Sequence, residues 1–159
     1  MDEVSVLVPS KIGRADKIKR VILGPGPIGL DEFIAVVRYN VKLEFSQAYI
    51  ERVSVSRVLA EKFLAENRKV YGLTTGFGEN VNRIIPQSEA IQLQINIIRS
   101  HAVSVGKPLK AEAVRAVWLM QLLSLGKGYS GIRLETLSLI AECLNQGVTP
   151  YVPGEGSEQ

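Results

Sequence analysis

The 159-residue chain contains one cysteine, one histidine and one tryptophan, and its charge is close to balanced. Each scarcity excludes something. With Cys143 alone, no intrachain disulfide can form, and a reducing compartment is the plain inference. With His101 alone, a histidine-based metal cluster is excluded, and one Cys with one distant His is no metal motif, so no metal is expected. Nineteen basic against sixteen acidic side chains give a formal charge of +3, too mild and too scattered for a nucleic-acid partner. The apolar runs are interrupted well short of a membrane span, and Asp2 and Glu3 stand where a secretory signal would be basic. Localisation is expected to be cytoplasmic, with no membrane partner.

What remains is the composition of one globular domain, 46% hydrophobic, with an apolar core. "VSVLVPS" near the start reads as a short strand or a packing arm. "LGPGPIGL" reads as a connection, its glycines permissive and its prolines restrictive. "DEFIAVVRY" suits a short helix, with Asp31 and Glu32 at the positive end of its dipole. Ser46 is placed to N-cap a longer helix from about Gln47 to Asn67. Ile50, Val53, Ala60, Phe63 and Leu64 would form its apolar stripe, broadened by Val55 and Val58.

"IQLQINII" alternates with period two, as a strand does. The segment from Gln87 to Val103, however, is long, follows Pro86 and lacks internal Gly or Pro, so a helix is preferred. Gln92, Asn96 and Arg99 would then form a polar edge running toward His101. "KAEAVRAVWLMQLLSL" predicts a helix that must be covered nearly all round, with Trp118 and Met120 as packing residues. "GKGYSG" breaks it, "IRLETLSLIAECLNQG" predicts a further helix ending near Gly147, and "VTPYVPGEGSEQ" reads as a loop. The organisation expected is an arm, or a small sheet element and linker, over 1–30, a helical region over 31–157, and a divergent or truncated tail over 158–159.

Glycine-rich loops can cradle phosphate, but "YGLTTGFGEN" has neither the dinucleotide nor the phosphate-loop spacing. "LGPGPIG" spaces its glycines suitably but loses backbone donors to two prolines. Tyr71 has two readings: a tyrosine packed at a helix end, or a proton acceptor if positive surroundings favour its phenolate. His101 is a helix-terminal surface residue or a hydrogen-bond partner for a ligand. Arg133 is an early helical residue or a bidentate carboxylate anchor. Cys143, inside a predicted helix, reads as a small buried hydrophobe. Ser157 lacks the surroundings of a nucleophile elbow.

In order along the chain, "YNVKLEFSQAYIERVSVSR", "VYGLTTGFG", "LQINIIRSHAVSVG", "SLGKGYSGIR" and "YVPGEGS" resemble the N-terminal part of the histidine and phenylalanine (aromatic amino-acid) ammonia-lyase family, over roughly residues 30–157. The resemblance implies a mainly α chain, the N-terminal part of the helical ammonia-lyase (fumarase/aspartase-like) fold, assembled in a homotetramer. It makes Tyr71 the catalytic base that removes the substrate's β proton, and Gly72, Thr74, Thr75, Gly76 and Gly78 parts of a lid loop. It places Ser100 and His101 beside the substrate side chain, a pair that resembles histidine ammonia-lyases, and gives Arg133 a structural supporting role.

The family's electrophile is 4-methylidene-imidazol-5-one (MIO), made from an Ala-Ser-Gly triplet that follows "GS". Here Gly156 and Ser157 are followed by Glu158 and Gln159, so the chain alone is expected to form no cofactor and to be inactive without a C-terminal portion as partner. The implied parent activity is elimination of ammonia from L-histidine to give urocanate. The alternatives are a lyase acting on phenylalanine or tyrosine, a 2,3-aminomutase, and a non-catalytic helical interaction module.

Overall fold

The computed structural model describes residues 13–76 and 85–156. The expected strand or arm over 4–10, Gly78 of the lid, and Ser157 with the tail lie outside them. Among the described residues the chain is mainly α, with five α-helices and two pairs of short strands. Strand β1 (Arg20–Leu23) leads through helix α1 (Leu30–Tyr39) to strand β2 (Lys42–Phe45), and the two strands pair in parallel with Arg20 opposite Lys42 and Leu23 opposite Phe45. Neither strand stands out in the sequence pattern. Each has four residues, and a run that short carries too little periodicity to separate it from a loop or a helix. Alternation is nonetheless what buries them, for Val21, Leu23 and Leu43 point into the core while Ile22 faces out.

Helix α1 starts where its acidic residues lead one to expect. The Glu32 carboxylate accepts from the Gly29 N–H at 2.7 Å, satisfying a donor just before the first turn. Helix α2 (Gln47–Ala65) is capped by Ser46, whose Oγ accepts from the Tyr49 N–H at 3.2 Å. Val53 and Ala60 are buried on α2, whereas Val55 and Val58 lie on its exposed side in this chain. The alternating segment is helical: α3 spans Gln87–His101, and the Gln92 amide donates to Asn96 Oδ1 one turn on at 2.8 Å. Helices α4 (Ala111–Leu125) and α5 (Leu134–Asn145) follow the apolar periodicity. Strand β4 (Pro153–Glu155) pairs antiparallel with β3 (Val105–Pro108), so part of the expected C-terminal loop is a strand.

The core forms where β1, β2, α1, α2, α4 and α5 meet, around Leu23, Val36, Leu43, Tyr49, Leu119 and Leu137. Polar side chains close its helix ends. Arg115 is buried on α4 and donates to three carbonyls: Nη2 to Val36 (2.6 Å), Nε to Val37 (3.1 Å) and Nη1 to Leu144 (3.0 Å). Those oxygens belong to the last turns of α1 and α5, where the helix itself runs out of N–H donors; Leu144 also accepts from the Gly147 N–H at 3.3 Å. Burial pulls the Arg115 guanidinium below its ordinary pKa. Tyr49 adds a second bond near the end of α4, its Oη donating at 2.8 Å to the Leu122 carbonyl, which also accepts from the Gly126 N–H, while its ring stacks on Phe45 at 4.4 Å. Asn145 completes the edge of β2, accepting from the Leu43 N–H and donating to the Leu43 carbonyl.

Burial pushes the Tyr49 phenol up to about 12, because the phenolate would lose water. The unfolded chain deprotonates near 10, so the folded state holds the extra proton between those values. This contribution is therefore complete below pH 10 and is lost as pH rises through 12. Urea unfolding between pH 9 and 12 should show stability falling more steeply in the parent than in Tyr49→Phe. Equal slopes would contradict the assignment.

Candidate active site

Tyr71 stands in a turn that follows α2 directly. The helix ends as Asn67 takes a left-handed conformation (φ 50°) and the Arg68 N–H returns to the Phe63 carbonyl at 2.9 Å. The Arg68 guanidinium lies over the Phe63 ring, 4.5 Å from its centroid, and holds the exit in place. The chain then closes on itself: the Leu73 and Thr74 N–H groups donate to the Val70 carbonyl at 3.2 and 3.0 Å. Gly72, at φ 70°, supplies the conformation that lets the turn double back. Tyr71 sits on this turn with a ring 60% exposed.

Two of the expected lid residues are buried anchors. Thr74 is 8% exposed and Thr75 is 2% exposed. Thr74 Oγ1 donates to the Arg68 carbonyl at 2.6 Å and accepts from the Val70 N–H at 2.8 Å. Thr75 Oγ1 donates to the Gly76 carbonyl at 3.1 Å and accepts from the Gly72 N–H at 3.4 Å. Gly76 is also buried.

Tyr71 borders a cleft of about 480 Å³ whose opposite wall is the "GYSG" turn. That turn is fastened to α2. Ser56 Oγ accepts from the Gly131 N–H at 2.9 Å, and Arg57 Nη1 donates to the Gly131 carbonyl at 3.3 Å. Arg57 is itself oriented by Glu61 at 2.8 Å. Gly131 takes φ 64° and lies so close to α2 that a Cβ there would come within 2.7 Å of the Ala60 Cβ. Helix α2 thus carries both walls, the tyrosine turn at its end and the "GYSG" turn along its side. Tyr129, at the outer edge of the cleft, is 90% exposed.

Ser100, His101 and Arg133 are not among the residues lining this cleft. Ser100 and His101 close α3 and are exposed. His101 Nδ1 is 2.8 Å from the Ile97 carbonyl and 2.9 Å from Ser100 Oγ, whose hydroxyl donates to the same carbonyl at 2.9 Å. A carbonyl only accepts, so the contact with Ile97 is a hydrogen bond when Nδ1 carries a proton. Arg133 begins α5 as its N-cap, and its exposed guanidinium has no hydrogen bond or ion pair among the described residues. Cys143 is half-buried in α5. The "GPGPIG" segment borders a separate apolar cavity of about 540 Å³ together with Phe33, Tyr49 and Met120.

Sequence reasoning missed Ser56, Arg57 and the anchoring role of Thr74. A signal existed for the first: Ser56 and Ala60 are small residues one turn apart on α2, which permits close backbone approach. Nothing local reveals that the approaching backbone is 75 positions later. Among the described residues no group of three or more His, Cys, Asp and Glu could hold a metal, and no helix is long and apolar enough to cross a membrane.

A helical scaffold that presents a tyrosine on a braced turn at a cleft is suited to proton transfer. In comparison with known proteins, the profile of the family described as aromatic amino acid lyase matches residues 28–158. The chain belongs to that family. A histidine ammonia-lyase of Streptococcus pyogenes is 46% identical over 128 residues, covering 80% of this chain and 25% of the relative. The structure of a histidine ammonia-lyase from Trypanosoma cruzi superposes with a TM-score of 0.76 at 36% identity, covering 87% of this chain and 26% of that one. A tyrosine aminomutase from Streptomyces globisporus gives 0.80 at 30% identity, over 87% of this chain and 26% of that one. The chain therefore spans about a quarter of the length of the curated relatives it matches.

Gly131→Ala should destabilise the chain by about 2 kcal/mol, since the substitution meets both a left-handed φ and the Ala60 side chain. Chemical denaturation measures this. A variant as stable as the parent would show that the turn is not pressed against α2.

Proposed function

We propose that these residues form the N-terminal part of a histidine ammonia-lyase, which eliminates ammonia from L-histidine to give urocanate. The observation that carries the reading is Tyr71, held at a cleft by a turn whose anchors are buried while its own ring is exposed. The choice of histidine is supported by the 46% identity to a histidine ammonia-lyase and by the Ser100–His101 pair.

In the elimination the Cβ–H bond breaks and its proton passes to Tyr71 Oη. The electron pair forms the Cα–Cβ double bond, and the Cα–N bond breaks to release ammonia. A free tyrosine is too weak an acid to be a phenolate at neutral pH, with an ordinary pKa of ~10, so the complete site must supply positive surroundings. His101, with its proton on Nδ1, would offer the Nε2 lone pair to a donor such as the N–H of a substrate imidazole. The Ile97 carbonyl, which only accepts, favours that tautomer.

The 159 residues contain no Ala-Ser-Gly triplet, so none of them would form MIO. An exposed phenol fits a base that acts on a substrate held from outside this chain. The prosthetic group, when bound, supplies the electrophile that makes loss of a poorly acidic β proton and of ammonia feasible. In this reading the remaining lyase sequence and further subunits of a homotetramer are the partners, and the enzyme is cytoplasmic, as the single cysteine suggests. A second reading, a 2,3-aminomutase using the same base, is favoured by the likeness to a tyrosine aminomutase.

The test joins this chain to the C-terminal three quarters of the Streptococcus pyogenes relative. The assembled tetramer should convert L-histidine to urocanate, followed by ultraviolet absorbance. Tyr71→Phe should lower kcat by about 10²–10⁴-fold with a smaller change in KM. A tetramer that makes no urocanate overturns the histidine reading, and a β-amino acid product from tyrosine or phenylalanine establishes the second.

A further inference from the structure

We infer that Thr74 is the positioning residue for Tyr71. The inference rests on the lyase reading for its catalytic consequence, but its geometry stands alone. Tyr71 is carried on the turn, so the backbone beneath it sets the position from which the phenol reaches out. That backbone is tied at two buried residues, Thr74 and Thr75, and Thr74 holds the approach to Tyr71. The Thr74 hydroxyl joins the Arg68 carbonyl to the Val70 N–H, on the approach to Tyr71. Its own N–H closes the turn onto the Val70 carbonyl, and its carbonyl accepts from the Ile85 N–H at 3.1 Å.

Thr74 therefore holds the residues before Tyr71, the residue that closes the turn, and a strand of chain returning from elsewhere. The Thr75 hydroxyl spans only from Gly72 to Gly76 and does not reach the approach to Tyr71. Valine at position 74 would keep the branched shape and lose the hydroxyl, leaving the Val70 N–H and the Arg68 carbonyl, both part-buried in these bonds, without that partner. Serine would keep the hydroxyl.

Two readouts test this. In the chain itself, hydrogen exchange at the Val70 amide should quicken by about tenfold or more in Thr74→Val and stay near the parent rate in Thr74→Ser, with the Val53 amide unchanged in both. In the joined enzyme described above, Thr74→Val should lower kcat by about tenfold to a hundredfold with KM within about threefold, and Thr74→Ser should restore kcat. Unchanged exchange at Val70 overturns the inference, and so does parental kcat for Thr74→Val in an enzyme that makes urocanate. If the unsubstituted joined enzyme makes no urocanate, the histidine reading fails while the exchange measurement still decides the role of Thr74.

Discussion

One buried guanidinium holds the ends of two helices. The last turns of α1 and α5 begin inside the molecule, where Val36, Val37 and Leu144 are almost wholly enclosed. An unpaired buried carbonyl costs roughly 1–3 kcal/mol, so these ends are stable only if something donates to them. Arg115 reaches across from α4 with three such bonds, and its positive charge suits the negative ends of both helix dipoles. The bonds offset the cost of burying the charge, and the planar fork serves two directions at once in a way that a lysine ammonium cannot.

The same solution recurs toward the site. Tyr49 near the start of α2 donates a further bond to the Leu122 carbonyl of α4, which fixes α2 against the core just before the "GKGYSG" turn begins. The fit is tight, for a Cβ on Gly126 would fall 2.0 Å from the Tyr49 ring. Further along α2, Ser56 and Arg57 take hold of Gly131 at the other end of that turn. The helix then ends in the tyrosine turn. The cleft is thus built on one helix pinned at successive points, and its geometry descends from the core through hydrogen bonds that can be named.

Local signals were legible and long-range ones were not. The Ser46 cap, the acidic first turn of α1 and the close of α5 near Gly147 follow from groups within a few residues of each other, and the structure has them. The short strands escaped notice because each exists only through its partner. Nothing local marks Arg115 as a brace, because its acceptors lie 78, 79 and 29 positions away. Tyr71 was recognisable through the ordered motifs, and the match of the aromatic amino acid lyase family over residues 28–158 agrees with them. What the motifs could not convey is that Thr74 and Thr75 are enclosed, or that Ser100 and His101 stand apart from the cleft at the end of α3.

The dependence of this architecture on a single buried side chain is tested most directly by urea unfolding of Arg115→Met. Methionine keeps the length and apolar stem but donates to none of the three carbonyls. The account predicts a loss of about 3 kcal/mol in unfolding free energy, as the Val36 and Val37 carbonyls lose their donors and Leu144 keeps only the Gly147 N–H. A variant within about 0.5 kcal/mol of the parent would contradict it.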